Sequence, residues 1–151
     1  MKKFQFKFET VLKVKENKEQ ELKKELLKLI ALKTEQEMML NDINLEKKRI
    51  SQEKLNNKSE LLNIQSYIFY ENYINSLRRQ ITSIEKVIKE LEKRADDKRE
   101  EVIEASKEKK IFEKLKERHY ENFKKLVIQN EQKVLDEIAI GKFNRKEQRS
   151  V

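Results

Sequence analysis

The sequence predicts an all-α fold: a long two-helix antiparallel coiled coil, or α-hairpin, whose second helix is longer than the first and overhangs it. Three observations predict this class. The 151 residues include one Gly and no Pro, so few positions favour a turn. Charged residues make up 42% of the chain and hydrophobic residues 36%, a composition typical of coiled coils. Apolar residues also recur at heptad spacing over long stretches.

The first helix is predicted at about residues 8–54. Its apolar stripe is loose, and polar residues occupy the slots near positions 15 and 19. Such a stripe predicts one helix face that packs against a neighbour. The stripe comprises Val11/Leu12, Leu22, Leu26, Leu29/Ile30, Met39, Ile43 and Ile50.

The segment KLNNKSELLN, residues 54–63, separates two apolar stripes. Asn56, Asn57 and Ser59 are the best turn formers nearby, because their side chains compete with helical backbone hydrogen bonds. A bend is therefore predicted at about residues 55–63. If the chain folds back at residue 57, Leu12 should lie roughly opposite residue 103.

The second helix is predicted at about residues 64–140 and has the more regular seam. Its 4-3 spacing predicts a left-handed coiled coil, and a change of spacing between Phe112 and Phe123 resembles a stutter. Gly141 suits the position just after a helix, so residues 141–151 are predicted to form a basic tail. The seam comprises Tyr70, Ile74, Leu77, Ile81, Ile84, Ile88, Leu91 and Ala95.

The whole chain, residues 1–151, is predicted to be a single coiled-coil domain. Since the first helix is shorter, the last ~30 residues of the second helix should lack an intramolecular partner while keeping an apolar stripe. An apolar stripe left without a partner in the chain indicates a partner outside it.

The stretch SYIFYENYI, residues 66–74, crowds four aromatic residues beside the bend. On a helical wheel Tyr67 and Tyr70 fall on the seam, Tyr73 lies on its flank and Phe69 points largely away. Two interpretations stay open at this point. Either residues of the bend cover these rings, or the rings form an exposed patch of the kind that anchors partner proteins.

The composition argues against an enzyme. The chain has no Cys and a single His, His119, which lies at a seam position and is expected to pack or face solvent. A zinc site needs more of these ligands, and one Gly cannot build a phosphate-binding loop. We therefore expect no catalytic residue, no cofactor and no metal.

The net charge of +8 is concentrated at the two ends of the chain, and the long middle is close to neutral. A protein that lies along nucleic acid is expected to carry a basic stripe over its length, so no nucleic-acid partner is expected. No apolar run is long enough for membrane insertion, which predicts a soluble, cytoplasmic protein.

Both ends of the chain resemble one family. FQFKFETVLKVKENKEQE, residues 4–21, resembles the N-terminal signature of the flagellar export protein FliJ. EKLKERHYENFKKLVIQNEQKVLDEIAIGKF, residues 113–143, is similar to the C-terminal stretch of that family. The resemblance implies a non-enzymatic component of the bacterial flagellar type III export apparatus. It implies a location at the flagellar base, peripheral at the cytoplasmic side of the cell membrane.

The resemblance also implies partners. A stalk of this family enters the ring of the hexameric flagellar export ATPase and promotes its assembly and activity. It couples that ring to the cytoplasmic domain of the membrane export gate protein and contacts export chaperones. The chain itself is expected to be a monomer when free.

Two sets of site residues follow. The family's gate-binding surface lies toward the tip, which by position implies Met39, Ile43, Ile50, Tyr73 and Leu77, and the aromatic cluster adds Phe69. The candidates for ATPase-ring binding on the overhang are Leu115, Phe123, Leu126, Val134, Leu135 and Ile138. Two alternatives remain: a generic coiled-coil scaffold or adaptor that homodimerises through the overhang, and the equivalent stalk of an injectisome secretion system.

Overall fold

The computed structural model describes residues 3–57 and 64–147, and every regular element in these ranges is an α-helix. Helix α1 is Glu9–Asn56, with 48 residues, where the sequence predicted about 8–54. Helix α2 is Ile64–Glu147, with 84 residues, where the sequence predicted about 64–140. The all-α class and the longer second helix are confirmed. Residues 58–63, which hold most of the predicted bend, lie outside the described residues.

The chain forms two compact units. One is Gln20–Glu104, here called the central unit. The other, here called the terminal unit, contains the N-terminal residues up to Glu19 together with the part of α2 that starts at Ala105. Each unit pairs a segment of the N-terminal half with a segment of α2. The single coiled-coil domain expected for residues 1–151 stays a prediction.

In the central unit, α1 and α2 run antiparallel. Lys54 pairs with Glu71, and Lys33 pairs with Glu92 at 3.2 Å. The residue nearer the C terminus of α1 therefore pairs with the residue nearer the N terminus of α2. Apolar side chains between the helices form a narrow core, as expected for a coiled-coil seam. The buried members of this core are Ile50, Ile74, Leu77 and Ala95.

The prediction is wrong for one residue of the α1 stripe, Met39. Met39 is exposed, and the neighbouring Leu40 is half-buried at the seam. The reason is the heptad period: the half-buried positions 26, 33, 40 and 47 recur every seven residues, and position 39 falls beside that series. Lys33 and Lys47 occupy seam positions. A search for apolar residues alone therefore does not reveal the seven-residue repeat.

In the terminal unit, residues 3–8 precede α1 without forming a helix and lie against α2. We call them the N-terminal strap. Phe6 is buried within it, and Leu12 and Ala105 are the other buried apolar residues in the described part of this unit. The Glu9 backbone N–H donates to the Phe6 carbonyl at 3.2 Å, and the Leu12 N–H donates to the Phe8 carbonyl at 2.9 Å. These two bonds connect the strap to the first turn of α1.

The register differs from the prediction. Leu12 lies in a groove with Glu113 and Lys116, not opposite residue 103. The prediction placed the turning point at residue 57, whereas α1 is helical up to Asn56 and α2 starts only at Ile64. Since the chain turns later than predicted, each α1 residue lies opposite an α2 residue that is nearer the C terminus than predicted.

The predicted helix end at Gly141 is wrong, and so is a tail that starts there. Helix α2 continues through Gly141 to Glu147, and this glycine does not have a positive φ. No contact forces the chain to leave the helix, since a Cβ at position 141 would meet nothing within 4 Å. A glycine inside a helix costs only about 0.5–1 kcal/mol relative to Ala, which the flanking helical residues can absorb.

Candidate partner-binding surfaces

The first candidate surface lies where α1 ends and α2 begins. Phe69 is 68% exposed and Tyr73 is 37% exposed. Their rings are stacked, with centroids 6.5 Å apart and planes 11° apart. Both residues fall outside the seam positions Tyr70, Ile74 and Leu77, so Phe69 points away from α1 and Tyr73 lies on the flank of the seam. We call the Phe69–Tyr73 pair the tip surface.

Polar contacts from α1 hold the tip surface in place. The Tyr73 hydroxyl donates to Glu46 Oε1 at 3.3 Å. The Arg49 guanidinium donates to both oxygens of the same carboxylate, at 2.7 and 2.9 Å, and this contact lowers the pKa of Glu46. Beside it, Asn57 Nδ2 donates to the Tyr70 hydroxyl at 3.0 Å. The first bond positions the Tyr73 ring directly, and Phe69 is held only through its ring contacts with Tyr70 and Tyr73.

The residues predicted for gate binding separate into two groups. Ile50 and Leu77 are buried between α1 and α2 and Ile43 is half-buried, so they support the surface and do not present one. Phe69, Tyr73 and Met39 are exposed. Met39 lies about two turns N-terminal to Glu46, the contact of Tyr73. It therefore stands apart from the stacked rings.

The second candidate surface lies on the C-terminal part of α2. Large apolar side chains there are at least half exposed, and several of them line one groove together with Phe123, Val127 and Asn130. The charged residue Glu131 also lines this groove. We call this surface the distal face; it comprises Leu126, Val134, Leu135 and Ile138.

Two residues predicted for the overhang are partly covered within the terminal unit, although Phe123 also lines the groove of the distal face. Leu115 is half-buried in the terminal unit, and Phe123 packs against Phe4 with ring centroids 5.6 Å apart. The N-terminal strap explains this difference. Phe4 also contacts Tyr120 at 5.2 Å, and Phe8 contacts Phe112 at 6.4 Å, so the strap covers α2 as far as Phe123. The exposed stripe starts only after that residue.

Charged residues fill the seam slots near positions 15 and 19 and pair with α2. Lys15 Nζ lies 2.6 Å from Glu108 Oε2, and Glu19 Oε2 lies 2.8 Å from Lys109 Nζ. The Lys15 ammonium lowers the pKa of Glu108, and the hydrogen bond with Glu19 raises the pKa of Lys109. Both pairs join α1 to α2 and agree with the observed register, and Lys109 also lies 3.8 Å from Glu113 of its own helix.

His119 is exposed, and its ring lies at 71° to that of Phe6 with centroids 5.6 Å apart, where the sequence predicted that it would either pack or face solvent. In residues 3–57 and 64–147, no three His, Cys, Asp or Glu side chains are grouped closely enough to hold a metal ion. Within the same ranges, neither helix contains a stretch long and apolar enough to span a membrane.

Sequence reasoning missed two features. The strap was signalled by Phe4, Phe6 and Phe8 at alternate positions, although they precede any helical period. An exposed apolar line on α1, formed by Leu27, Met38 and Leu45, was also missed. Its signal was a second heptad series out of phase with the seam.

Comparison with known protein families gives a match. The family model described as Flagellar FliJ protein matches residues 4–148 of this chain. No curated protein and no solved structure matches it.

Proposed function

This chain belongs to the flagellar FliJ protein family, a component of flagellar protein export, and on that premise we propose that it acts as the non-enzymatic coiled-coil stalk of the export ATPase. In this proposal the distal face enters the ATPase ring and promotes its assembly and activity. The tip surface binds the cytoplasmic domain of the membrane export gate, and export chaperones are further partners. The protein works at the cytoplasmic side of the membrane, at the flagellar base.

The observation that carries the proposal is the distal face. Leu126, Val134 and Ile138 are each at least half exposed on a helix that carries no α1 residue beside them in the described part of the chain. Full burial of a large apolar side chain contributes roughly 1.5–3 kcal/mol, and a half-exposed side chain can gain about half of that. A ring that encloses this part of α2 would bury several of them at once.

The two surfaces consist of different residues, which supports a coupling role. The tip surface belongs to the central unit and the distal face to the terminal unit, so two partners can bind without competing for the same residues. A stalk changes the conformation of a ring only through contacts that differ between ring states. An asymmetric apolar face on one helix offers such contacts. The match is to a flagellar family, which favours this stalk over that of an injectisome.

The test is ATP hydrolysis by the flagellar export ATPase, titrated with this protein. The variant Val134→Glu with Ile138→Glu places two carboxylates on the distal face. The matched control is Ile103→Glu with Ile111→Glu, since these α2 side chains are comparably exposed but lie outside the distal face. We expect the native chain and the control to stimulate hydrolysis and the distal-face variant to fail, with equal helicity in all three.

If the distal-face variant stimulates hydrolysis as strongly as the native chain, the distal face is not the surface that binds the ATPase ring. No stimulation by a fully helical native chain at any ratio would overturn the stalk role and leave a passive adaptor as the function.

A further inference from the structure

A row of cations runs along the side of α2 that faces away from α1. Arg79, Lys86 and Lys93 recur every seven residues, and each is exposed. At 100° per residue the three side chains lie within about 40° of one direction, and the seam residues Leu77 and Ile81 point to the opposite side. The row therefore takes no part in the pairing of α2 with α1. We call these three residues the basic row.

A shallow groove joins the first two members of the basic row. No carboxylate in residues 3–57 and 64–147 forms an ion pair with Arg79 or Lys86. Guanidinium and ammonium groups donate strong hydrogen bonds to phosphate oxygens, and two hydroxyls lie between them. The groove therefore suits an anionic group such as a phosphate. It is lined by Arg78, Arg79, Thr82, Ser83 and Lys86.

The charge along α2 changes sign just beyond the basic row. Residues 78–94 contain six Lys or Arg and three Glu, so their net charge is +3. Residues 95–104 contain two Lys or Arg and five Asp or Glu, so their net charge is −3. The two charges cancel, which is part of the reason that the long middle of the chain is close to neutral. An anionic surface would attract the first stretch and repel the second.

Exposed apolar side chains precede the basic row at the start of α2. Ile64 is 76% exposed and Ile68 is 51% exposed. Ile68 points within about 20° of the direction of Arg79 and lies about 17 Å from it along the helix. Exposed apolar residues next to Lys and Arg are typical of a helix that lies at a membrane surface. A lipid surface also needs no matching shape, and this side of a single helix is convex.

We propose that the first part of α2 binds an anionic membrane surface. The basic row binds lipid phosphate groups, and Ile64 and Ile68 enter the headgroup region. The acidic residues 95–104 are repelled, so the contact is limited to the part of α2 that precedes them. The proposal goes beyond the stalk function and does not depend on it, because no residue of the basic row belongs to the tip surface or the distal face.

Vesicle flotation tests the contact with the full chain. The vesicles contain either phosphatidylcholine alone or equal parts of phosphatidylcholine and phosphatidylglycerol. The chain should float with the anionic vesicles only, and its binding should weaken as salt rises, because salt screens surface charge. The variant Arg79→Glu with Lys86→Glu should lower the partition coefficient by at least about tenfold, since each Lys or Arg near an anionic surface contributes to binding.

The matched control is Arg118→Glu with Lys125→Glu. These two residues are the same types at the same spacing of seven, and both are exposed on α2 outside the basic row. The control changes the net charge of the chain by the same amount, so it separates a local contact from a general effect of charge. It should bind anionic vesicles like the native chain, with equal helicity in all three proteins.

A fluorescent label shows which part of the chain meets the lipid. The chain contains no Cys, so Ile68→Cys carries a polarity-sensitive fluorophore at that position alone. The second labelled variant is Phe143→Cys, at a 63% exposed position beside basic residues near the C-terminal end of α2. Anionic vesicles should shift the emission of the label at position 68 to shorter wavelength and leave the label at position 143 unchanged.

Equal loss of binding in the 79/86 variant and in the control would overturn the proposal. A shift at position 143 without one at position 68 would also overturn it and assign the lipid contact to the basic end of the chain. Absence of flotation with the anionic vesicles would leave the basic row as a surface for an acidic protein. None of these results would touch the stalk proposal, because the ATPase titration contains no lipid.

Discussion

The Glu19 carboxylate is buried against the Lys109 ammonium, with 2.8 Å between Glu19 Oε2 and Lys109 Nζ. This pair sits in the seam between α1 and α2, where a heptad pattern would place an apolar side chain. Lys15 and Glu108 pair beside it at 2.6 Å. A polar layer of this kind selects one register, because any shift leaves a buried charge without its partner.

Replacing Glu19 by Ala should lower the free energy of unfolding by about 1–3 kcal/mol, since Lys109 loses its main acceptor in a partly buried site. The double variant Glu19→Leu with Lys109→Met should recover most of that loss, because it replaces both charges with apolar groups. Urea unfolding followed by circular dichroism measures both. The control is Glu21→Ala at an exposed position nearby. A double variant less stable than Glu19→Ala would contradict this account.

Stability should fall at high pH. The hydrogen bond with Glu19 raises the pKa of Lys109 above its ordinary value of 10.5. Glu92 likewise raises the pKa of Lys33, and Glu101 raises the pKa of Lys98. A raised folded pKa contributes stability that is complete below pH 10.5 and is lost as pH rises through the folded pKa. Melting temperatures should therefore drop in alkaline buffer, and Lys109→Met should reduce the drop.

Stability should also fall at low pH. Lys15 lowers the pKa of Glu108, and Arg49 lowers that of Glu46, from an ordinary value of 4.5. Such carboxylates contribute stability above pH 4.5, and this is lost as pH falls through their folded pKa values. The same melting series in acidic buffer measures it, and Glu108→Gln should flatten the acidic limb. An unchanged acidic limb in that variant would show that other carboxylates dominate.

The strap should detach when Phe6 is replaced by Ala. Phe6 is the buried ring of the strap, and truncating a buried Phe costs about 3–5 kcal/mol in a well-packed core. The cost here should appear locally, as faster amide hydrogen exchange at Glu9 and Leu12, whose N–H groups donate to the strap. Phe143→Ala, at an exposed ring, is the matched control. Equal exchange in both variants would show that the strap does not depend on Phe6.

Tip residues should separate into binding and structural roles. Phe69→Ala should weaken binding to the gate domain at unchanged melting temperature, since the ring is exposed. Leu77→Ala should instead lower the free energy of unfolding by about 2–5 kcal/mol, because Leu77 is buried. Tyr73→Phe keeps the ring and removes the hydrogen bond to Glu46, which tests whether that bond positions the ring. Calorimetric titration and thermal melting distinguish these effects. Native affinity in Phe69→Ala would exclude the tip surface.

Gly141→Ala should stabilise the end of α2 by about 0.5–1 kcal/mol, because Ala favours the helix and a Cβ there meets open space. Slower amide exchange around residue 141 would show it, with Lys142→Ala as the control. The opposite sign is expected for a glycine that ends a helix with positive φ. Faster exchange in Gly141→Ala would therefore restore the helix end predicted from the sequence.

The sequence by itself determined the class of the fold and the identity of its family. One Gly and no Pro allow few turns. The unbroken heptad spacing from Tyr70 to Ala95 specifies a packed helix. Both are local properties of the sequence and do not depend on contacts between distant residues. The flank position of Tyr73 and the outward direction of Phe69 also followed from the helical period alone. The resemblance of both ends to the FliJ family agrees with the match over residues 4–148.

Only the tertiary structure decided the register and the extent of the exposed stripe. Leu12 lies beside Glu113 because ion pairs such as Lys15–Glu108 and the rings of the strap join residues far apart in sequence. No local period contains that information. The same long-range packing buries Ile50 and Leu77 and partly covers Leu115 and Phe123. Leu126 and the large apolar residues after it stay exposed, and these form the proposed surface for a partner.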